Sequence, residues 1–384
     1  MNPTHEAQAV AATPAHAPLT GMLVVELGHS VAAPFAAQAL GDLGAEVIKI
    51  EKAGGDDARK WGPPFVDGSA AVFQALNRNK FSLVLDLRDP ADKARLIDLI
   101  VQRADIVLQN LRPGQVDELG LDAASLRRLK PSLIYCNLGA FGLGGPMSSR
   151  PGYDPLMQAF SGIMSVVGEP GSAPVRVGPS IVDIGCGLWA TVGILASALR
   201  RRDTGEGAVV DVSLLETAAT WMCTYAAQYL ASGEVPRKHG SGQAGIVPYR
   251  AYRTIDGDLV VAAGNDALFA RLCQAVGHPE WSQDERFRSN PLRVAHADTL
   301  YPMLEACFIA HDNATWMKRL DEVGVPCAPV QDVAGMLGHP QLAALGLLQS
   351  IPQSSIPAIG MPVRFDGRRP TPRRGPPALN DFEQ

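Results

Sequence analysis

The chain reads as an α/β protein built on a doubly wound sheet. Three observations lead there: short apolar runs of strand length, helical spacing between them, and close alternation of the two. Met22–Leu27 is an apolar run suited to a buried strand, Pro34–Leu43 has helical spacing and stops at Gly44, and Glu46–Ile50 is strand-like again. A strand, a helix and a strand in such close succession predict a parallel βαβ unit. The rhythm continues through Ser82–Leu87 (strand), Pro90–Arg103 (helix), Ile106–Gln109 (strand), Ala123–Leu129 (helix) and Leu133–Asn137 (strand). Alternation of this kind places helices on both faces of one sheet, a Rossmann-like layout.

Beyond Gly152 the pattern changes. Asp154–Val167, Ile181–Arg201 and Leu214–Ser232 read as helices, with a short strand at Val209–Ser213. Residues 233–248 are rich in Gly and Pro and mark a lobe boundary. Tyr249–Thr254 and Asp258–Ala263 flank Ile255-Asp256-Gly257, a hairpin signal. Helices follow at Asp266–Val276, Arg293–Ala310 and Asn313–Val323, and the Pro/Arg-rich stretch near 368–377 predicts irregular chain.

Length and composition narrow the function. With 384 residues, two lobes are expected. Hydrophobic residues make up 46% and charged residues 19%, an ordinary globular balance. A net charge of −5 offers no general attraction for nucleic acid or an acidic membrane, so a polyanionic ligand needs a local basic pocket. The six cysteines are scattered without a C-x-x-C pair, which fits neither a zinc site nor a disulfide framework and predicts reduced thiols in a cytoplasmic protein. Residues 1–18 lack the basic and apolar regions of a secretory signal and read as a flexible tail. The longest apolar stretch, Ile181–Leu199, is broken by Asp183 and several glycines, so no membrane span is expected.

The turn after the first strand, G-H-S-V-A-A-P, lacks the glycines of a dinucleotide fingerprint, and there is no P-loop, H-E-x-x-H or G-x-S-x-G. Nicotinamide, zinc and serine-hydrolase chemistries are thereby disfavoured. The distinctive segments are G-A-E-V-I-K-I-E-K with G-D-D-A-R (Gly44–Arg59), N-R-N-K-F-S-L-V-L-D-L (Asn77–Leu87), N-L-R-P-G (Asn110–Gly114), and G-A-F-G-L-G-G-P through R-P-G-Y-D (Gly139–Asp154). Asp154 before Pro155 reads on its own as a helix N-cap.

Together, and in this order, the four segments resemble the class III CoA-transferases of the CaiB/BaiF type, over about Leu19 to Pro372. The resemblance implies that Asp154 is the nucleophile, attacking the donor thioester to give an aspartyl mixed anhydride and then an aspartyl–CoA thioester. Splitting a hard exchange over a covalent carboxyl intermediate makes each step easier. It also implies that Lys52, Lys80, Asn110 and Leu111 lie near the nucleotide, with Arg59, Arg78 and Arg112 as further cations. Each of these alone also reads as a solvated surface residue. Phe141 and the glycines around it would let backbone N–H groups approach the thioester oxygen, or would be plain turn formers. Gly240, Gly242 and Gly245 would form a mobile lid over Asp154, or a plain linker. Coenzyme A enters as substrate, with no permanently bound cofactor and no metal.

The same resemblance implies an interlocked homodimer. Its domains are expected at 19–224 (large, α/β), 225–325 (small, α+β) and 326–384 (return to the large domain). The usual terminal helix is replaced by A-L-N-D-F-E-Q. Acyl-CoA racemases share the fold but carry His where this chain has Tyr153, and phenol is a poor base near neutral pH, so transfer is expected over racemisation. A non-catalytic CoA-binding protein is the remaining alternative. R-K-W-G-P-P-F-V, N-R-N-K, G-I-V-P-Y and V-V-A-A-G-N look closest to the succinyl-CoA:glutarate and related dicarboxylate CoA-transferases. Arg59, Arg176 and His29 are candidates for a distal carboxylate, and Asp183 is either structural or an acid–base group.

Overall fold

The computed structural model describes residues 17–382, so most of the expected N-terminal tail, residues 1–16, lies outside the described residues. The chain divides into two compact units. The first takes residues 1–161, 178–222 and 343–384, the second 162–177 and 223–342.

The first unit is built on six strands: β1 (Leu23–Leu27), β2 (Glu46–Glu51), β3 (Phe81–Val84), β4 (Ile106–Gln109), β5 (Ile134–Gly139) and β6 (Val209–Ser213). Their order in the sheet is β3-β2-β1-β4-β5-β6, and every ladder is parallel. The order reverses between β1 and β4, which opens a crevice at the carboxyl ends of the strands. Strands buried on both faces must be apolar almost throughout, and all five residues of β1 are buried.

One face is covered by α2 (Pro90–Gln102) and α3 (Ala123–Leu129). Both start where the sequence signals it, with Asp89 and Asp122 accepting first-turn backbone N–H groups. Leu96, Leu99, Ile100 and Leu126 pack there against Val25, Ile48, Val107 and Tyr135. The other face carries α1 (Ala32–Asp42) and the 24-residue α5 (Ile181–Thr204). A Cβ on Gly187 would stand 2.6 Å from the carbonyl oxygen of Ala32, so only glycine lets α5 approach α1 this closely.

The second unit has a three-stranded antiparallel sheet, β7 (Tyr249–Arg253), β8 (Asp258–Ala262) and β9 (Cys327–Pro329), in the order β9-β8-β7. Helices Asp266–Ala275, Ala297–Phe308 and Asn313–Glu322 bury Phe269, Leu304, Phe308 and Trp316 against Tyr252, Leu259 and Val261. This unit runs to Leu342, past the expected 325, and β9 pairs within it.

Three expected helices are interrupted. Asp154–Val167 divides into α4 (Asp154–Phe160) and Ile163–Val166, because Gly162 takes a left-handed conformation at φ 90°. Leu214–Ser232 breaks at Met222 into α6 (Leu214–Trp221) and Cys223–Ser232, and nothing in the local sequence marks that break. Arg293–Ala310 breaks at His296, whose backbone leaves the helical region at φ −114° and ψ 25°.

Candidate active site

A cavity of about 1230 Å³ opens at the carboxyl ends of β1–β4. His29 and Ser30 line it after β1, Lys52, Asp56 and Asp57 after β2, Leu111 and Arg112 after β4, and Tyr153 just before α4. The turn after β1 is tied to the one after β4. The Asn110 amide accepts from the His29 backbone N–H at 2.9 Å and donates to the His29 carbonyl at 2.9 Å. Gln109 receives the Leu111 N–H at 2.8 Å and donates to Asn137, which in turn donates to Asp211, so side chains bridge β4, β5 and β6. Burial lowers the His29 pKa, with Asp56 pulling it partly back, so the imidazole in the cavity wall is neutral at pH 7.

Beneath the cavity lies a buried ionic network. Glu26 and Lys49 are register partners on β1 and β2, and both are fully buried. Lys49 Nζ stands 2.9 Å from Glu26 and 2.9 Å from Asp56, and donates to the Gly28 carbonyl at 2.6 Å. Lys80 Nζ pairs with the other Glu26 oxygen at 2.8 Å and donates to the Pro34 carbonyl and to Asn77. Asp56 receives the backbone N–H groups of Ala58 and Ser30. Two carboxylates and two ammoniums therefore balance, and Lys49 and Asp56 tie the network to the backbone of loops at the cavity floor. Burial depresses Lys49 less than the Glu26 and Asp56 carboxylates raise it, so its pKa ends well above normal. For Lys80 burial wins over Glu26 and the value falls to about 8.

Asp154 opens α4 but does not cap it; Tyr153 holds the N-cap position. Its carboxylate is 1% exposed and lies at the start of α5 instead. One oxygen accepts from the backbone N–H of Val182 at 2.8 Å and Asp183 at 3.3 Å, the other from the Gln158 amide at 2.6 Å. The positive end of a 24-residue helix thus faces a carboxylate delivered by another helix. The loop before it is tightly packed. A Cβ on Gly152 would meet Met157 at 2.7 Å and Ala140 at 2.9 Å, so glycine there lets the Tyr153–Asp154 turn press against the Gly139–Gly142 loop. In that loop Phe141 packs edge-on against Phe160, their centroids 5.6 Å apart.

Asp183 feels both its burial and the Asp154 charge, which lift its pKa to about 7. The folded state therefore binds a proton there that the unfolded chain, at the ordinary 3.8, has already lost. Its contribution to stability falls as pH rises between these values. Asp183→Asn is expected to melt like the parent near pH 4, gain a few degrees by pH 7, and hold that gain above it, as followed by circular dichroism.

Of the residues expected near the nucleotide, Lys52, Leu111 and Arg112 line the cavity, and Lys52 pairs at the surface with Asp57 at 2.7 Å. Asn110 stands behind the wall and shapes it. Lys80 is fully buried in the ionic network. Arg78 is buried against Asp42 through Nε at 2.9 Å and Nη2 at 2.5 Å. Arg59 is clamped on Glu51 through two bonds and lies over the Phe73 ring at 3.9 Å. Gly240 packs on Glu169 within the second unit. Glu26, Lys49, Glu51 and Asp56 were not singled out from the sequence. The signal was there: charges in the middle of buried strand runs, L-V-V-E-L and V-I-K-I-E, are retained only when paired. Among the described residues no group of three or more His, Cys, Asp or Glu side chains is arranged to hold a metal ion.

Comparison with known proteins adds an independent line. The pattern of CoA-transferase family III matches residues 19–381. Succinyl-CoA:glutarate CoA-transferase of Mus musculus is 36% identical over 366 residues, covering 94% of this chain and 84% of that protein. Acetyl-CoA:oxalate CoA-transferase of Acetobacter aceti is 37% identical over 367 residues, covering 95% and 93%. The crystal structure of a CaiB/BaiF family protein from Brucella suis superposes with a TM-score of 0.86 at 37% identity, covering 95% of this chain and 97% of that one. With the parallel sheet, the crevice at its switch point and the family pattern in agreement, the chain belongs to CoA-transferase family III.

Proposed function

We propose that this protein moves coenzyme A from a donor acyl-CoA to an acceptor carboxylic acid, with Asp154 as the covalent relay. The carrying observation is the Asp154 carboxylate, held by two backbone N–H groups and one amide beside the residue that walls the cavity. The carboxylate attacks the thioester carbonyl, the C–S bond breaks, and an aspartyl–acyl anhydride and CoA thiolate result. The thiolate attacks Cγ of Asp154, releasing the donor acid and leaving an aspartyl–CoA thioester. The acceptor carboxylate then repeats the two steps in reverse. During attack at Cγ, charge builds on the Asp154 oxygens, where the Val182, Asp183 and Gln158 donors already point. No step consumes ATP, and water must be kept out because both intermediates hydrolyse.

In this reading Lys52 and Arg112 serve the CoA phosphates, Leu111 the base, and Phe141 the thioester end. Lys80, Arg78, Arg59 and Asn110 hold the loops that present them. Gly240, Gly242 and Gly245 serve as a lid. A dicarboxylate acceptor with succinyl-CoA as donor follows from the glutarate-type stretches. Arg59 is already committed to Glu51, which leaves Arg176 as the cation for a distal carboxylate and neutral His29 as a hydrogen-bonding partner only. The relatives that act on glutarate and on oxalate are equally similar, so the acceptor must be found by assay. A homodimer is supported by the outer face of α5, where Leu188, Trp189, Val192 and Leu199 are 41–65% exposed. That helix is long and apolar enough to cross a membrane, but its other face packs on α1 and the sheet, which supports a core helix and a cytoplasmic protein.

Succinyl-CoA with a panel of mono- and dicarboxylic acids, without ATP, is expected to yield new acyl-CoA. Hydroxylamine added with acyl-CoA is expected to leave a hydroxamate on Asp154, read by peptide mass spectrometry. Label on a cysteine would remove Asp154 from this role. Loss of α-carbon chirality without exchange would favour a racemase.

A further inference from the structure

The stretch expected to be irregular near the C-terminus is irregular but tightly docked. It lies along β3, the edge strand of the parallel sheet, whose outward backbone groups need partners. Asp381 accepts the Ser82 N–H at 2.8 Å, Asn380 accepts the Val84 N–H at 3.0 Å, and Phe382 N–H donates to the Ser82 carbonyl at 2.9 Å. Asn380 reaches this position with φ 62°, a conformation asparagine tolerates better than most residues. The segment is also pinned upstream. Arg374 pairs with Asp381 at 2.7 Å and lies over the Phe81 ring at 4.0 Å, and the Arg373 and Arg374 N–H groups donate to Asn79.

The docked segment continues into the cavity wall. The Asn380 N–H donates to Ser82 Oγ at 3.2 Å, and that hydroxyl donates to Glu51 at 2.7 Å. Arg59 donates to the Pro377 carbonyl at 3.1 Å while clamped on the same Glu51. Glu51 in turn accepts the Asp56 N–H at 2.7 Å, and Asp56 holds the Ser30 and Ala58 N–H groups. Glu51, Asp56 and Ser30 all line the cavity. A hydrogen-bonded path therefore runs from the C-terminal segment, through Ser82 and Glu51, to two of its loops.

We propose that Arg373–Phe382 is a strap that positions the acyl-CoA site: docked on β3, it sets Glu51 and Arg59 and so fixes the Gly55–Ala58 turn against Ser30. The proposal rests on the reading that this cavity receives acyl-CoA. It assigns a positioning role to Asn380, Asp381 and Ser82, none of which touches the reacting atoms.

The test compares wild type with the double variant Asn380→Ala/Asp381→Ala and with Ser82→Ala, a small change that keeps the fold if the double variant does not. Both are expected to raise the Kd for CoA by calorimetry, and the KM for acyl-CoA, about tenfold, with kcat at saturation within twofold. Combined, they are expected to give no more than the larger single effect, because they cut one path. Asp381→Asn, which keeps the accepting oxygen, is expected to restore most of the affinity. Folded variants that melt earlier but bind CoA like wild type would overturn the strap and leave the cavity reading standing. Wild-type protein without affinity for CoA would sink the cavity reading and the strap with it.

Discussion

Asp154→Asn is expected to lower CoA exchange by at least about a thousandfold while leaving the Kd for CoA within a few-fold of wild type. The amide keeps the size of the side chain and one oxygen to receive the Val182 N–H, so the start of α5 stays capped. In the proposed relay it lacks the negative oxygen that attacks the thioester, and no other carboxylate replaces it. Asp183 is the nearest rival, yet it is the group whose proton is held up to about 7 by burial and by Asp154. Single-turnover assays with radiolabelled acid, together with calorimetry, separate loss of chemistry from loss of binding. Residual exchange near wild-type level in the purified variant would remove Asp154 from the relay.

The second large effect is on stability. Lys49→Met is expected to destabilise the fold by about 3–5 kcal/mol, because it strands two buried carboxylates that shared one ammonium. Lys80 still covers one oxygen of Glu26, but Asp56 loses its cation. In the parent, burial raises the Asp56 pKa, and Lys49 together with the Ala58 and Ser30 N–H groups more than offsets it, leaving a value below normal. That contribution is present above the ordinary carboxylate pKa and fades as pH falls through the folded value. The deficit of the variant is therefore full at pH 8 and narrows toward acid, as urea midpoints measured across pH would record. Lys52→Met, which breaks an exposed pair three residues along the same segment, is expected to change stability by less than about 1 kcal/mol.

The sheet strands through Asn137 were readable because their runs are mostly apolar, and the helices at Pro90 and Ala123 because an aspartate caps each; the uncapped helices Ala71–Leu76 and Gln115–Leu119 carried no such mark. The fate of the cations was not. Lys80 and Arg78 sit in a polar N-R-N-K run that looks solvated, and their partners, Glu26 and Asp42, come from distant parts of the chain. Only the packing of the segment before β3 against β1 and the end of α1 makes them neighbours. Asp154 shows the same limit. Asp-Pro signals a cap, and a cap it is, but for a helix that begins 27 residues later. The strap was hidden because side chains, not backbone periodicity, dock it.

The sequestered state of Asp154 has an energetic corollary. A carboxylate that rests on three donors and is almost wholly buried is strongly stabilised where it is. If it acts as the proposed relay, reaching a sulfur ester means exchanging part of that cradle for contact with the incoming group, and the compensation must come from elsewhere in the complex. The long nucleotide arm of the donor, anchored far from the bond that breaks, is the natural source. Affinity at one end of the ligand is thereby converted into reactivity at the other.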